Sequence, residues 1–348
     1  MSARFAGALA GFLALSALFL AMPGYAQFTS PEQGADLSIS LSPAHPDAGD
    51  TVRLSARSLS LDLSEITLTW HANGKVIAQG DGVDTATVVA GDLGTETKIV
   101  VDAIMPVGTV ASAQVTIIPT GLDLLVDSDS FVPPFYRGGA RVSAGVDLHL
   151  QAIPRFKLPT GFFAADADLI YTWRRNGEVI AGVSGRGRSS ITIPSPHLFG
   201  TDIITLEVRT RDTALSSARS LSLSSTEPIL LLYKDHPLFG ILYNDALSAS
   251  TFIPESEMTF AAIPYFAQVQ SANDAQLIFD WRVNNTRVAQ NAARPSEITI
   301  NAKNSTGIAL LGLELTHATN YYMDAKSSWN INFSESSGVQ DQFHSVDQ

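Results

Sequence analysis

The amino-acid sequence predicts an all-β protein, a tandem array of three β-sandwiches after an N-terminal signal peptide. Three observations predict this fold. A segment that begins with tryptophan occurs three times, at residues 70, 173 and 281. Short stretches of alternating apolar and polar residues are separated by turn residues about every 8–12 positions, which is typical of sandwich strands. Beyond the first 26 residues no amphipathic helical pattern extends over about ten residues or more.

Residues 1–26 have the three parts of a secretory signal peptide. Arg4 provides the positive charge, residues 5–21 form the apolar part, and the small residues Gly24 and Ala26 precede the expected cleavage site. The alternative is an uncleaved N-terminal anchor, which would be the only membrane contact that the sequence predicts. In both cases we expect an exported protein at the cell surface or outside the cell, or in the periplasm where the cell has an outer membrane.

The chain of 348 residues contains no cysteine. Disulfide frameworks, zinc sites with cysteine ligands, thiol nucleophiles and the lipid anchor of bacterial lipoproteins are therefore excluded. Since an exported protein could form disulfides, their absence means that packing alone must hold each sandwich together.

The repeated segment has the pattern of a β-hairpin. Alternating residues precede each tryptophan and predict a strand with one buried face. Asn-Gly or Asn-Asn follows, and these residues adopt the positive φ angles of a tight turn. We expect the three tryptophans to form the structural core of their units. The tryptophans are Trp70, Trp173 and Trp281, and the turn pairs are Asn73-Gly74, Asn176-Gly177 and Asn284-Asn285.

Further strands are predicted on both sides of the hairpin. In units 2 and 3 the strand before the hairpin runs into an Ala-Ile-Pro-x-Phe box, at Ala152–Phe156 and Ala262–Phe266. The strands predicted after the hairpin lie at 98–101, 114–118, 203–209, 218–223, 309–316 and 329–333.

These patterns divide the chain after the signal peptide. Unit 1 is placed at 35–119, unit 2 at 120–226 and unit 3 at 227–335, followed by a flexible tail at 336–348. The joints between units are short, so neighbouring units are expected to dock or to be held stiffly.

The Trp-x-x-Asn-Gly-x-x-[Ile/Val] hairpin resembles that of bacterial immunoglobulin-like and PKD-like extracellular modules, and the resemblance extends over all three units. It implies an immunoglobulin-like β-sandwich for each unit, with the tryptophan between the two sheets. Residues 230–238 and the Ala-Ile-Pro-x-Phe box also resemble exported bacterial repeat proteins. Neither resemblance implies an activity or a cofactor.

Charge is distributed unevenly along the chain, whose formal net charge is −12. Residues 121–226 contain eleven basic and ten acidic residues, whereas 1–120 contain five and eleven, and 227–348 contain six and thirteen. Overall acidity argues against nucleic-acid binding by the whole chain, because neutralising phosphates needs a basic face.

Four arginines on or beside the hairpin of unit 2 form a candidate interaction surface. Their partner would be an anionic glycan, the envelope surface or an acidic unit of the same protein, the last of these by self-association. The alternative is a solvated hairpin face. The four are Arg174, Arg175, Arg186 and Arg188.

Apolar, aromatic segments lie between the first and second predicted strands of units 2 and 3. Exposed apolar loops mark interaction sites, so these segments are candidate docking surfaces for an extracellular protein or a membrane surface. The alternative is that they pack on their own sandwich or on the next unit. The candidate residues are Phe131, Phe135, Tyr136, Phe239, Leu242 and Tyr243.

Motifs for catalysis, cofactor binding or metal binding are missing from the sequence. The histidines form no His-Glu-x-x-His or His-x-His pair, and neither a Walker loop nor a Gly-x-Ser-x-Gly elbow occurs. We therefore predict no cofactor and no metal. Calcium specific to unit 2, near Asp127 and Asp129, stays open as an alternative. Aligning units 2 and 3 puts Lys234 at the Asp127 position, which argues against a calcium site common to both.

The sequence thus predicts an exported, non-enzymatic surface protein for adhesion or extracellular assembly, which binds through loops and edge strands. The alternative is a structural accessory or spacer subunit of an envelope machine such as a pilus or a secretion system.

Overall fold

The computed structural model describes residues 37–104, 108, 110–253, 257–303 and 305–333. The predicted signal peptide and the predicted tail lie outside this part of the chain. The described residues form strands joined by turns, and their helical segments are two single 3-10 turns, Leu63–Glu65 and Asp166–Asp168. Among them, no helix is long and apolar enough to cross a bilayer.

Unit 1 contains seven strands in two sheets. The strands are β1 (Leu37–Ser42), β2 (Thr51–Ser58), β3 (Thr67–Ala72), β4 (Lys75–Asp81), β5 (Thr85–Val89), β6 (Thr97–Ile104) and β7 (Val110–Ile117). One sheet has the order β1-β2-β5 and the other β4-β3-β6-β7. All pairs are antiparallel.

Unit 2 repeats this arrangement. Its strands are β8 (Gly121–Ser128), β9 (Asp147–Arg155), β10 (Ile170–Arg175), β11 (Glu178–Val179), β12 (Gly185–Arg186), β13 (Ser190–Pro194), β14 (Thr201–Arg209) and β15 (Ser216–Ser224). The sheets are β13-β9-β8 and β11-β10-β14-β15, and β12 also pairs with β10. A parallel bridge joins Ser143 to Thr226, so the chain crosses from the first sheet to the edge of the second before β9 begins.

Unit 3 adds two strands to the same plan. Its strands are β16 (Ile229–His236), β17 (Gly240–Ala246), β18 (Ser250–Ile253), β19 (Glu257–Tyr265), β20 (Leu277–Val283), β21 (Thr286–Arg287), β22 (Glu297–Asn301), β23 (Gly307–His317) and β24 (Asp324–Phe333). The sheets are β17-β16-β19-β22 and β18-β24-β23-β20-β21. The aromatic segment at residues 238–243 was predicted to be a loop. The structure shows that part of it forms the strand β17, which makes a hairpin with β16.

The sheet order confirms the predicted fold class. In each unit, one sheet contains the first and second main strands together with the strand that follows the tryptophan hairpin. We call this strand the fifth main strand; it is β5, β13 or β22. The facing sheet contains the hairpin and the last two strands, which is the immunoglobulin-like plan. A separate apolar core lies between the two sheets of each unit. The tryptophan of the repeated hairpin is fully buried in each core; these residues are Trp70, Trp173 and Trp281. The core of unit 3 also contains a second buried tryptophan, Trp329.

Each of these indoles also has a hydrogen-bond partner. The Nε1–H donates to a backbone carbonyl of the segment that leads into the fifth main strand. The acceptors are Val83 in unit 1 (2.8 Å), Arg188 in unit 2 (2.9 Å) and Pro295 in unit 3 (3.0 Å). The tryptophan therefore ties the hairpin sheet to the opposite sheet by a polar contact as well as by packing.

The turn asparagine binds the neighbouring strand in the same way in all three units. Its backbone N–H donates to a carbonyl of that strand, and its Oδ1 accepts the N–H of the same residue, with N···O distances of 2.8–2.9 Å. The pairs are Asn73–Lys98, Asn176–Ile203 and Asn284–Leu310. Both turn residues have positive φ, 49° and 79° in unit 1, 51° and 87° in unit 2, and 49° and 65° in unit 3.

The strand pairing corrects the alignment of units 2 and 3 by one residue. The box proline lies opposite a leucine in both units; the pairs are Leu122–Pro154 and Leu230–Pro264. Asp127 therefore corresponds to Asp235, not to Lys234, and the lysine no longer argues against a shared carboxylate. The register prediction was wrong because residues 229–232 are uniformly apolar, so no alternation distinguishes one face from the other.

Candidate functional site

The joint between units 1 and 2 is held by contacts on both sides of Thr120. Its N–H donates to the Pro46 carbonyl (3.4 Å) and its hydroxyl to the Ser216 carbonyl (3.0 Å). Arg219 of unit 2 forms an ion pair with Asp47 of unit 1. The two sandwiches are therefore docked, with no free linker between them.

Gly94 of unit 1 packs closely against unit 2. Its φ is +75°, and a Cβ at this position would lie 2.8 Å from the Lys157 carbonyl oxygen and 2.9 Å from the Lys157 Cβ. Only glycine satisfies both the backbone conformation and the contact.

A groove of about 870 Å³ lies beside this joint. Unit 1 contributes Gly94, Glu96 and Ile118, and unit 2 contributes most of the remaining wall. Its rim includes Phe163, whose residue surface is 57% exposed. Clefts between domains are common ligand sites, but this groove has acidic and basic side chains side by side and so favours no single charge of ligand.

The joint between units 2 and 3 uses the aromatic segment of unit 2. Phe131 N–H donates to the Ala267 carbonyl (2.8 Å), and Phe266 N–H donates to the Phe131 carbonyl (2.6 Å). The Phe131 side chain packs against the core of unit 3 and against a second apolar cluster on the outer face of its first sheet. Unit 2 thus adds a short backbone pairing and an apolar anchor to unit 3.

Aromatic and polar contacts surround this anchor. The Tyr136 ring lies edge-on to Tyr265 and Phe266, with centroids 5.7 and 5.8 Å apart. The Ser143 hydroxyl donates to the Phe266 carbonyl, and Asn320 Nδ2 donates to the Ala144 carbonyl at 2.9 Å.

A different glycine, Gly145 of unit 2, lies at the joint with unit 3. Its φ is +89°, and a Cβ there would lie 2.6 Å from Asn320 Nδ2 and 2.8 Å from Gln268 Oε1. Each joint therefore has a glycine in the left-handed region that faces the next unit at contact distance. At Gly94 the neighbour is the Lys157 backbone, and at Gly145 the neighbours are the ends of two flexible side chains.

The six aromatic-segment candidates have different surroundings. Phe131 and Tyr136 lie in the joint, and Tyr243 packs against Tyr233 of unit 3, with ring centroids 5.5 Å apart. Burial raises the pKa of the Tyr243 hydroxyl above its ordinary value. Leu242 is half-buried in β17. Phe135 and Phe239 are 88% and 76% exposed, and a docking role for these two stays a prediction.

The four arginine candidates are not brought together on one surface. Arg175 and Arg186 lie at opposite ends of β10, about 17 Å apart along the strand. Arg186 forms an ion pair with Asp168, and Arg174 points to the face of the sheet opposite that of Arg175. Binding of an anionic partner by these residues stays a prediction, and for Arg175 and Arg186 it would compete with an existing ion pair.

Arg175 belongs to a polar cluster at the hairpin end of unit 2. Its Nε donates to Asp202 Oδ2 (2.8 Å), and Asn176 Nδ2 donates to Asp202 Oδ1 (2.7 Å). Burial pushes the pKa of Asp202 upward, but these hydrogen bonds outweigh burial and hold the pKa below its ordinary value. The cluster supports the turn and has the geometry of a structural ion pair.

The acidic residues considered for calcium have protein partners. Asp129 Oδ1 lies within hydrogen-bond distance of His149 Nε2, at 3.0 Å. Asp127 Oδ1 accepts a hydrogen bond from the Ser128 N–H at 2.9 Å. Within the described residues, no three His, Asp or Glu side chains form a group that could hold a metal ion.

Sequence reasoning missed several of the residues that meet at the joints. Phe266, Gln268 and Asn320 of unit 3 lie in two separate loops, and Gly94 and Gly145 are single glycines in turns. The Ala-Ile-Pro-x-Phe box was the available signal, because its phenylalanine is the residue that receives Phe131.

Comparisons with known proteins give likenesses of architecture. No protein-family model matches the chain, and no curated relative matches it. A central fibronectin-III array of RIM-binding protein is 10% identical, with a TM-score of 0.31, over 85% of this chain and 96% of that one. Three N-terminal domains of the outer capsid protein Hoc of bacteriophage RB49 are 14% identical, with a TM-score of 0.25, over 86% and 99%.

Fibronectin(III)-like modules of Clostridium thermocellum CbhA are also 14% identical, with a TM-score of 0.25, over 54% of this chain and 94% of that one. All these TM-scores lie below 0.5, so the assignment of the fold rests on the sheet order. On that basis the chain is a tandem array of immunoglobulin-like β-sandwiches.

Proposed function

We propose that this chain is a non-catalytic, exported module for adhesion or extracellular assembly. Three sandwiches are docked into one stiff array, which presents loops and edge strands to other molecules. The docking at both joints carries this proposal, since each joint combines backbone hydrogen bonds with a glycine at contact distance from the next unit. Stiff arrays hold binding loops at a fixed separation, which loosely linked units cannot do.

Exposed phenylalanines favour binding over a purely passive spacer. Phe135, Phe162 and Phe199 of unit 2 are 88%, 76% and 73% exposed. Large apolar side chains in loops are unfavourable in water and are typical of interaction surfaces. A spacer subunit of an envelope machine is the second candidate, because the docked joints suit it equally well.

The first experiment measures stiffness by small-angle X-ray scattering. We expect wild-type protein to fit one arrangement of the units, and Gly94→Val and Gly145→Val each to widen the distribution of interatomic distances. Gly161→Val is the matched control, because Gly161 has a φ of +87° with no atom within 4 Å of a Cβ. A wild-type protein that scatters as freely jointed units would contradict the proposal.

The second experiment identifies partners in intact cells, using a photoreactive residue at Phe135. Capture of surface glycan or host proteins supports adhesion, whereas capture of pilin or other envelope subunits supports the spacer role. Hydrolysis of peptidoglycan or polysaccharide that is lost in Asp166→Asn or Asp168→Asn protein would contradict the non-catalytic assignment.

A further inference from the structure

The end of unit 3 remote from unit 2 carries an aromatic residue at the position that aligns with the docking residue Phe131 of unit 2. The strand pairing aligns Asp127 with Asp235, and the same count aligns Phe131 with Phe239. Phe131 is half-buried against the next unit, whereas Phe239 is 76% exposed at the tip of the β16–β17 hairpin. Its neighbour Leu238 is 84% exposed. Unit 3 therefore exposes an apolar tip at the sequence position that, in unit 2, binds the following unit.

The end of unit 1 remote from unit 2 carries an apolar residue at the receiving position, which is the position that faces the preceding unit in units 2 and 3. In the second main strand of each unit, one alanine donates its backbone N–H to the carbonyl of the residue just before the fifth main strand. This shared hydrogen bond aligns the three units. The alanines are Ala56, Ala152 and Ala262, with acceptors Asp84, Ser189 and Ser296. Three residues further along, the aligned residues are Leu59, Arg155 and Tyr265.

This receiving position faces the preceding unit at the joint between units 2 and 3, where Tyr265 contacts Tyr136. Its counterpart in unit 2 is Arg155. The hydrogen bond to Asp123 is the main cause that raises the pKa of Arg155, and the charge of Asp47 in unit 1 adds to it. Leu59 has no preceding unit among the described residues and is 96% exposed. The two ends of the array thus expose an apolar residue at the donor position and another at the receiving position of the internal joints.

We propose that copies of this chain associate head to tail, with the Leu238–Phe239 tip of one copy against the Leu59 end of unit 1 in a second copy. The contact continues the order in which units 1, 2 and 3 already dock, so it extends the array without a new kind of interface. A head-to-tail contact joins two different surfaces and gives a linear chain or ring of copies, in contrast to a two-fold dimer. This inference deepens the proposed role in assembly and rests on it.

Charge sets the expected salt dependence. Residues 35–119 contain four basic and ten acidic residues, and residues 227–335 contain six and eleven, so the two associating units repel each other. Added salt screens this repulsion and leaves the apolar contact in place. Association is therefore expected to strengthen between low and moderate ionic strength, the opposite of a contact held by ion pairs.

The absence of cysteine allows a direct test by disulfide trapping in the full-length chain. Leu59→Cys and Phe239→Cys are prepared as separate single variants, mixed, and oxidised at increasing protein concentration and at two salt concentrations. We expect several-fold more crosslinked dimer in the mixture than in either variant alone, with a higher yield at the higher salt concentration. The double variant should form a ladder of oligomers.

The control replaces Leu59→Cys by Val89→Cys, an exposed position on β5 away from the receiving position (64% exposed, against 96% for Leu59). A mixed yield no higher than this control overturns the inference. Predominant crosslinking within Phe239→Cys alone also overturns it, because that result indicates a tail-to-tail contact. If the crosslinking fails while the scattering of wild-type protein still fits one arrangement of the units, only the head-to-tail association is overturned. The two proposals can therefore fail separately.

Discussion

Each unit is organised around one tryptophan that is both buried and hydrogen-bonded. The indole fills the space between the sheets, and its Nε1–H satisfies a carbonyl just before the fifth main strand. A phenylalanine would fill most of the same volume but would leave that carbonyl without its donor. The repeated tryptophan therefore follows from the need for a large apolar side chain with one polar atom at its far end.

Replacing Trp173 should destabilise unit 2 in two steps. Trp173→Phe removes one hydrogen bond and should lower the free energy of unfolding by about 1–3 kcal/mol. Trp173→Ala also leaves a cavity and should lower it by about 3–5 kcal/mol. Urea unfolding, monitored by circular dichroism, measures both free energies. Equal stability of the two variants would contradict separate contributions from the hydrogen bond and from the packing of the ring.

Asp202 makes the stability of unit 2 depend on pH. Its pKa is held below the ordinary value in the folded state, since the hydrogen bonds from Arg175 and Asn176 outweigh burial. Its stabilising contribution is therefore complete above the ordinary carboxyl pKa of about 3.9 and is lost as pH falls through it toward the folded value. We expect the urea midpoint of wild-type protein to fall more between pH 6 and about pH 3 than that of Asp202→Asn. A parallel fall in both proteins would contradict this role.

At the scale of the element, the hairpin was the part of the fold that the sequence specified best. Its alternation, its tryptophan and its Asn-Gly turn all predict the same local structure, and the strand that receives the turn asparagine follows at a similar distance in each unit. The first strand of unit 3 was harder because both of its faces are covered. Leu230 and Leu232 face the core, while Tyr233 faces the outer cluster, so the periodicity that sets a register is absent.

The turn of unit 3 should be improvable by one substitution. Asn285 has a φ of 65°, where units 1 and 2 have glycine. Asn285→Gly removes the steric cost of the left-handed conformation and should stabilise unit 3 by about 0.5–1 kcal/mol.

The converse change, Gly177→Ala in unit 2, should destabilise it by about 1–2 kcal/mol. Gly182→Ala is the control, because Gly182 has no positive φ and open space around its Cβ position. Thermal unfolding of the three variants gives the comparison, and an effect of Gly182→Ala as large as that of Gly177→Ala would count against the turn geometry.

At the scale of the whole molecule, the joints are what the sequence predicted least completely. Short connections implied docking, but the residues that meet there come from loops distant in sequence, such as 131–145 against 266–268 and 317–320. A pattern along one chain shows which residues are apolar or turn-forming, not which loop lies opposite. The aromatic segment of unit 2 was predicted as a docking surface for an external partner, with packing on the next unit as the alternative. Phe131 and Tyr136 follow that alternative, and the loops of unit 3 that they contact were not predicted.

Loss of the Phe131 anchor should uncouple units 2 and 3. Phe131→Ala keeps the backbone pairing but removes the side chain from both apolar clusters of unit 3, at an expected cost of about 1–3 kcal/mol. Phe135→Ala, in the same segment but 88% exposed, is the matched control. Calorimetry should show the unfolding transitions of units 2 and 3 separating only in Phe131→Ala. Separate transitions already present in wild-type protein would contradict coupling through this joint.

The asparagine of the unit 2 hairpin also makes that turn sensitive to chemical ageing. Asn176 is followed by Gly177, which has no Cβ to keep its backbone nitrogen away from the asparagine side chain, so the sequence is prone to amide hydrolysis. The amide nitrogen of Asn176 donates to Asp202, and its hydrolysis to a carboxylate would bring two negative charges together where a hydrogen bond had been. Stored protein should therefore lose stability in unit 2 in step with the deamidation that peptide mass spectrometry detects at Asn176. In unit 3, Asn284 precedes Asn285 and has no carboxylate partner among the hydrogen bonds of its turn, so the same hydrolysis there should cost less.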